Sequence, residues 1–304
     1  MQIAEIILEV MLRALPPILL AGLGGMLTSR VGLLNMALEG MMLIGAFSAV
    51  VGSYFMNSGW AGLLFSMLIG GLLGYLFALF NIKFKANNIV VSVALNMFAL
   101  GITKYLLRIL FGVSGAFSSE KIQPLMKIRI PFLNDIPILR AFNNQSILVP
   151  LSFLILGVVN YVYYKTPFGL RLRGTGEHSK AVESVGVNTN RIRFAVIIVS
   201  GVLCGMAGAQ LSLGQLTMFT DNMTSGRGFI AMAANIFGGS TPIGTLYGSL
   251  LFSFSDAATM RIQTLGFPAA LIQTIPYLLT LITLWIVAIR NQRSKSTDYV
   301  NNEA

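Results

Sequence analysis

Apolar residues in this chain fall in continuous runs, not in the alternation of a half-buried strand or the narrow stripe of a surface helix. Stretches such as "LPPILLAGLGGMLT" and "AGLLFSMLIGGLLGYLFALF" contain no charge at all. Runs of about 20 residues suit helices that rise 1.5 Å per residue through a hydrocarbon layer roughly 30 Å thick. The pattern predicts spans at Leu12–Thr28, Leu33–Phe55, Trp60–Ile82, Asn87–Phe111, Ser146–Tyr164, Phe194–Gln215, Gly228–Gly238, Gly244–Met260 and Phe267–Ile289. The seventh is too short for a full crossing. The expected fold is therefore all-α, a polytopic membrane protein of about eight to ten transmembrane helices, some short or broken. Barrel strands would alternate, and these runs do not.

Two connections exceed a tight turn: residues 112–145, and a charged segment within 166–193 that reads "GLRLRGTGEHSKAVESVGVN" from Gly169 to Asn188. The remaining links are short, so residues 1–304 read as one transmembrane domain with a polar tail at 291–304. Composition agrees: 55% of the 304 residues are hydrophobic and 11% charged, with mean hydropathy +0.76, too little polar surface to cover a soluble globule. The N-terminus lacks the basic stretch and small-residue cleavage site of a signal peptide.

The net charge of +10 does not point to nucleic acid, because the basic residues sit in short links and at span ends. With the C-terminus inside, the inner loops hold twelve Lys and Arg residues, including Arg30, Lys83, Arg171, Arg173, Lys180 and Arg193, and the outer loops hold seven. The 166–193 segment then faces the cytoplasm and the N-terminus lies outside, although Glu5, Glu9 and Arg13 also suit an interfacial helix. Cys204, the single cysteine, lies inside an apolar run, so an intrachain disulfide and a cysteine metal site are excluded.

Few polar residues lie inside the spans, and each is informative: Asn35, Glu39, Asn96, Gln210, Gln215, Asn235, Asp256 and Gln273. A carboxylate at membrane depth costs about 2–4 kcal/mol, so it faces a partner or a water-filled path. At helical rise Glu39 stands about 10 Å beyond Gly32, which makes it a candidate for the pathway wall, with Asn35, Asn96, Gln215 and Asn235 as companions. A hydrogen-bonded strut between helices is the alternative reading. Asp256 reads as a rim residue. Laying "GLLNMALE" (Gly32–Glu39) over "GFIAMAAN" (Gly228–Asn235) suggests an inverted repeat that pairs Glu39 with Asn235. Glycine pairs four residues apart, at Gly70/Gly74, Gly201/Gly205 and Gly244/Gly248, mark close helix packing, static or movable. Phosphate loops, zinc motifs and nucleophile elbows are absent from the sequence, so work on a solute must draw energy from a partner or an ion gradient.

Within the charged segment a short helix is expected, with Ser179 as N-cap, Lys180–Val185 as its turns and Gly186 as a left-handed C-cap. Such a helix needs a surface to pack against. Ala181, Val182 and Val185 form its apolar docking face.

Four stretches carry a family resemblance: "RVGLLNMALEGMMLIGAF", "ANNIVVSVALNMFALGIT", the charged segment, and "SLGQLTMFTDNMTSGRGFIAMAANIFGGSTPIGTLYGSLLF". The chain resembles permease subunits of ATP-binding-cassette importers of the branched-chain amino acid and ribose type, closest to the nucleoside permeases, and the match covers nearly the whole sequence. The resemblance implies a multi-pass subunit of a bacterial cell membrane that is not itself an enzyme and binds no cofactor of its own. ATP is used by a cytoplasmic ATPase, which would receive Glu177, Ser179, Ala181, Val182, Glu183, Val185 and Gly186. It further implies a second permease subunit, as a heterodimer, and an extracytoplasmic solute-binding lipoprotein. Relatives carry Asn-Pro where this chain has His178 and Ser179, a departure that alters the ATPase contact. "FGGSTPIG" matches the family as a tight inner turn. Nucleosides are the expected solute and simple sugars such as ribose the alternative. A different class, a secondary carrier using Glu39 as a proton or cation site, remains as the rival.

Overall fold

A computed structural model describes residues 2–128 and 143–263. Among the described residues ten helices run in the order α1 (Gln2–Ser29), α2 (Leu38–Met56), α3 (Gly59–Ala78), α4 (Asn88–Phe111), α5 (Leu148–Lys165), α6 (Pro167–Glu177), α7 (Ser179–Ser184), α8 (Thr189–Ala209), α9 (Arg227–Phe237) and α10 (Pro242–Gln263). Helices α3 and α8 each continue into a wide π-helical turn, at Leu79–Lys83 and Gln210–Leu216. Among the described residues six helices are long and apolar enough to cross a membrane: Ile6–Ser29, Leu38–Met56, Gly59–Lys83, Asn88–Phe111, Leu148–Lys165 and Thr189–Leu216. Helix α9, with 11 residues, spans about 16 Å at helical rise and cannot cross alone. The ninth predicted span and the polar tail lie outside the described residues.

Among the described residues, strand structure is confined to the links. Strand β1 (Ala116–Phe117) pairs antiparallel with β4 (Phe219–Thr220), and β2 (Lys127–Ile128) with β3 (Gln145–Ser146). These pairs satisfy backbone groups of the 112–145 loop that would otherwise need water.

The core is built around α1 and α8. Helix α1 packs against α8, α9 and α10, while α8 packs against α1, α2 and α3. Exchanging α1 with α8, α2 with α9 and α3 with α10 preserves this set of neighbours, as a repeat requires. Its register differs from the one the two octamers suggest. Gly32–Met36 is irregular backbone before α2, whereas Gly228–Asn235 lies within α9. The equivalence set by the helix starts is Leu38 with Arg227, not Gly32 with Gly228. Helix α2 accordingly begins five residues later than Leu33, and a depth for Glu39 based on helical rise from Gly32 does not apply.

The glycine pairs mark where helix backbones touch. Residues Gly70 and Gly74 of α3 meet Gly201 and Gly205 of α8, and a methyl group at Gly201 would collide with the Gly70 carbonyl oxygen. Without a hydrophobic drive between helices in lipid, this close van der Waals approach supplies the association. Gly244 and Gly248 of α10 likewise abut Gly238 and Ala234 at the end of α9.

The prediction concerns this crossing. Gly201→Ala should destabilise the protein by about 1–3 kcal/mol, the cost of overpacking a fitted interface. Gly157→Ala on α5, where nothing lies within 4 Å of an added methyl, should fall within about 1 kcal/mol of the parent. Thermal unfolding of the detergent-solubilised chain, followed by size-exclusion chromatography, compares the two.

Candidate functional site

Residues Leu33–Ala37 form no helix, yet Asn35 and Ala37 are fully enclosed. Irregular backbone at membrane depth is tolerated only where its polar groups find partners inside the protein. Three asparagines supply them. The Asn35 amide oxygen accepts from Ala37 N at 2.9 Å and its Nδ2 donates to Ser200 Oγ at 3.3 Å. Asn96 on α4 donates to the Met36 carbonyl at 3.0 Å and accepts from Gly40 N at 2.8 Å, so one side chain bridges the break. The Asn88 amide donates to the Leu34 carbonyl.

Glu39, in the first turn of α2, reaches the start of α9. Its Oε1 accepts from Gly226 N at 2.8 Å and its Oε2 from Gly228 N at 2.7 Å. The carboxylate thus satisfies amide groups that a helix start leaves unpaired, and it lies where the dipoles of α2 and α9 both present their positive ends. Gly226 suits the junction because its φ of +84° is left-handed.

Between α2, α4 and the start of α9 lies an open cavity of about 350 Å³, the size range of small-molecule sites. Glu39 and Asn96 line it, together with Met36, Met97, Asn222 and Phe229. The walls are largely apolar. Both Glu39 oxygens and both ends of the Asn96 amide already have backbone partners, so the site offers a solute shape and apolar contact more than free charge.

The other sequence candidates stand elsewhere. Asn35 faces away from the cavity, toward α8. Asn235 is buried and donates to Ser29 Oγ at 3.0 Å, tying α9 to the end of α1. Gln215 lies toward the far end of α8, where its Nε2 donates to the Arg13 carbonyl at 2.6 Å. That carbonyl is the group Pro17 leaves without a helical donor, so Gln215 replaces a bond that proline removes. Asp256 pairs loosely with Arg227 at 3.7 Å, both partly exposed. Sequence reasoning missed Met36, Met97, Asn222 and Phe229; the signal within reach was the glycine flanking at Gly226 and Gly228.

At the end of the bundle where α1 finishes, α6 and α7 form the charged segment. Helix α6 takes Thr166 as its N-cap, whose hydroxyl accepts from Gly169 N at 3.2 Å, with Pro167 in its first turn. The first half of the segment is thus also helical, which the short-helix reading missed. His178, not Ser179, is the residue before α7, and it makes no side-chain cap bond. The closing turn is as expected: Gly186 is left-handed at φ +80°, and Val187 N donates back to the Val182 carbonyl at 3.3 Å. Val182 leans on Gly174 of α6, while Ala181 and Val185 are exposed, Val185 by 76%. The outward apolar face is therefore Ala181 and Val185 alone. Glu177 and Gly186 are exposed and Ser179 half-buried, whereas Glu183, also exposed, accepts from the Thr189 hydroxyl at the start of α8. Gly176 lies against the Arg30 carbonyl at the end of α1, and Arg173 stacks 5.4 Å from the Tyr163 ring. Arg30 in turn donates to the carbonyls of Ser240 (2.6 Å) and Gly239 (2.8 Å) in the tight turn after α9.

Residues 7–284 match the model of a family described as the branched-chain amino acid transport system / permease component. The chain is 34% identical to the guanosine ABC transporter permease protein NupQ of Bacillus subtilis, over 93% of this chain and 92% of that protein. It is also 34% identical to the nucleoside ABC transporter permease protein NupC of Lactococcus lactis, over 92% and 91%. A solved metal-chelate type ABC transporter in an inward-facing conformation shares the fold, with TM-score 0.53 and 17% identity over 91% of this chain and 85% of that one.

Removing the Glu39 carboxylate should be costly. Glu39→Ala strips both partners from the start of α9 and should lower stability by about 2–4 kcal/mol, and Glu39→Gln, which keeps one acceptor, by roughly half as much. Melting of the two variants side by side in detergent checks the order.

Proposed function

The chain belongs to the family of branched-chain amino acid transport system permease components, and from that premise we propose that it is half of the translocation pathway of an ATP-driven nucleoside importer. The observation that carries the mechanism is the α6–α7 projection, which offers Ala181 and Val185 outward while being fixed to α1 through Gly176 and to α8 through Glu183 and Thr189. A cytoplasmic ATPase docks on that face, with Glu177, Ser179 and Gly186 at its edge. The excess of Lys and Arg in its links supports a cytoplasmic position for this end of the bundle, with the opposite end available to a solute-binding lipoprotein.

Force on α7 passes in two directions. Helix α1 carries α9, through Ser29 and Asn235 and through close packing of Gly22 on Ala231, and α8 carries α2, through Gly205 against Gly45. The cavity lies where α2 and α9 meet, so relative motion of α1 and α8 alters its width. A second permease subunit closes its open side beyond α4 and Phe229. Met36, Met97 and Phe229 suit the flat face of a nucleobase, and Asn222 suits a sugar hydroxyl; a simple sugar would leave the apolar wall unused. The rival carrier reading needs Glu39 to take up a proton or cation, and both its oxygens already hold amide groups of α9.

Ala181→Asp or Val185→Asp should reduce solute-stimulated ATP hydrolysis by the reconstituted importer at least about ten-fold, a loss of roughly 1.4 kcal/mol of coupling, with membrane insertion unchanged. Normal stimulation in both variants refutes the docking assignment. Competition of labelled guanosine uptake by other nucleosides and by ribose, in cells with and without the gene, separates nucleoside from sugar transport.

A further inference from the structure

A second cavity, of about 190 Å³, opens between α5 and α8. These two helices share almost no backbone contact, and the crevice between them is walled by Val158 and Val162 of α5 and by Val196 and Val199 of α8. Leu27 of α1 and Phe168 and Leu172 of α6 add to the lining, and Val158 and Val199 stand half-exposed at its mouth. Its α6 end is capped by the Tyr163 ring, over which two guanidinium groups converge: Arg173 at 5.4 Å and Arg30 at 5.8 Å. Arg30 spends its donors on the turn after α9, but Arg173 bonds only through Nε, to the Gly169 carbonyl at 3.4 Å, and is half-exposed. One carboxylate, Glu177, acts on the same ring, so cations outnumber anions there.

We infer that this crevice binds an anionic phospholipid of the surrounding membrane, one acyl chain between α5 and α8 and the phosphate on Arg173. The apolar part and the charge stand in the order that a lipid presents them: hydrocarbon slot within the bundle, guanidinium at the end where the spans stop. A soluble polar solute would find almost nothing to bond in the slot. Placed between α5, α6 and α8, the lipid props apart the helices that carry the α6–α7 projection.

The purified full chain should retain phosphatidylglycerol through detergent washing, read by native mass spectrometry, and prefer it to phosphatidylcholine in an equal mixture. Arg173→Gln should reduce that preference about five-fold, the worth of one basic side chain at an anionic surface. The double variant V158W/V199W, which fills the slot, should lose both lipids. Lys83→Gln, an exposed cation beyond α3 away from the crevice, should change neither. Equal retention of both lipids by the parent chain overturns the proposal, as does a loss in Lys83→Gln matching that in Arg173→Gln. Heat protection by inorganic phosphate equal to that by phosphatidylglycerol, abolished in Arg173→Gln, would assign the cations to a free anion instead.

Discussion

The junction on which the cavity is built depends on one carboxylate accepting two backbone amide bonds. Glu39 belongs to the first turn of α2 and bonds to Gly226 and Gly228 at the start of α9, so two helix N-termini meet on a single negative charge. Each start presents unpaired N–H groups and the positive end of a dipole, and two of them face to face inside a membrane would repel. The carboxylate reverses the sign of that encounter. In return, the amides and dipoles make burial of the charge tolerable, so neither partner would be stable without the other. This arrangement lets the half-length helix α9 begin inside the bundle, and the cavity lies where α2 and α9 both start.

The amide side chains share this logic. Asn35, Asn88 and Asn96 bond to backbone of the break before α2, and Gln215 serves the carbonyl that Pro17 deprives of its helical donor. In water such bonds are worth little beyond those the solvent would make; in lipid the alternative is an unsatisfied peptide group costing several kcal/mol. Polar residues in the spans therefore divide by role. Asn35 and Gln215 mend the backbone, Asn96 mends it while also lining the cavity, and Glu39 joins two elements and lines the same cavity.

Much of this was legible in the sequence, and the boundary is physical. Long apolar runs have few solutions in a membrane, so the helices α1 to α5, α8 and α10 follow from hydropathy, and α9 announced itself by being short. The glycine pairs predicted close helix packing, but which helices they join, Gly70 and Gly74 of α3 with Gly201 and Gly205 of α8, only the structure shows. What hydropathy could not register is the loss of helix at 33–37, since "LLNMA" is as apolar as a helix would be and its departure is stabilised by Asn88 and Asn96, over 50 residues away in the chain. The same blindness misplaced the register of the repeat: matching letters aligned Gly32 with Gly228, whereas the helix starts align Leu38 with Arg227. Within the charged segment, Gly186 fixed its own turn, but the inward lean of Val182 depends on Gly174, a contact between two helices where the sequence suggested one.

If the proposed docking on α7 holds, the stiffness of its connections is what would let a six-residue helix act on a cavity several helices away. Helix α7 is too short to hold its own shape, yet its neighbours at Gly176 and Thr189 fix it to the ends of α1 and α8. From there the contacts become harder: Gly201 on Gly70, Gly205 on Gly45 and Gly22 on Ala231 are backbone approaches with no flexible side chain between them to absorb a displacement. Soft contacts dissipate a push as rotamer changes, whereas these pass it on as movement of whole helices. The junction of α2 with α9 is of the same hard kind, with Gly228 set against the Glu39 backbone and two amide bonds accepted by the Glu39 carboxylate. On the proposed docking, a displacement entering through α1 and α8 would therefore reach the helices that wall the cavity as movement of whole elements.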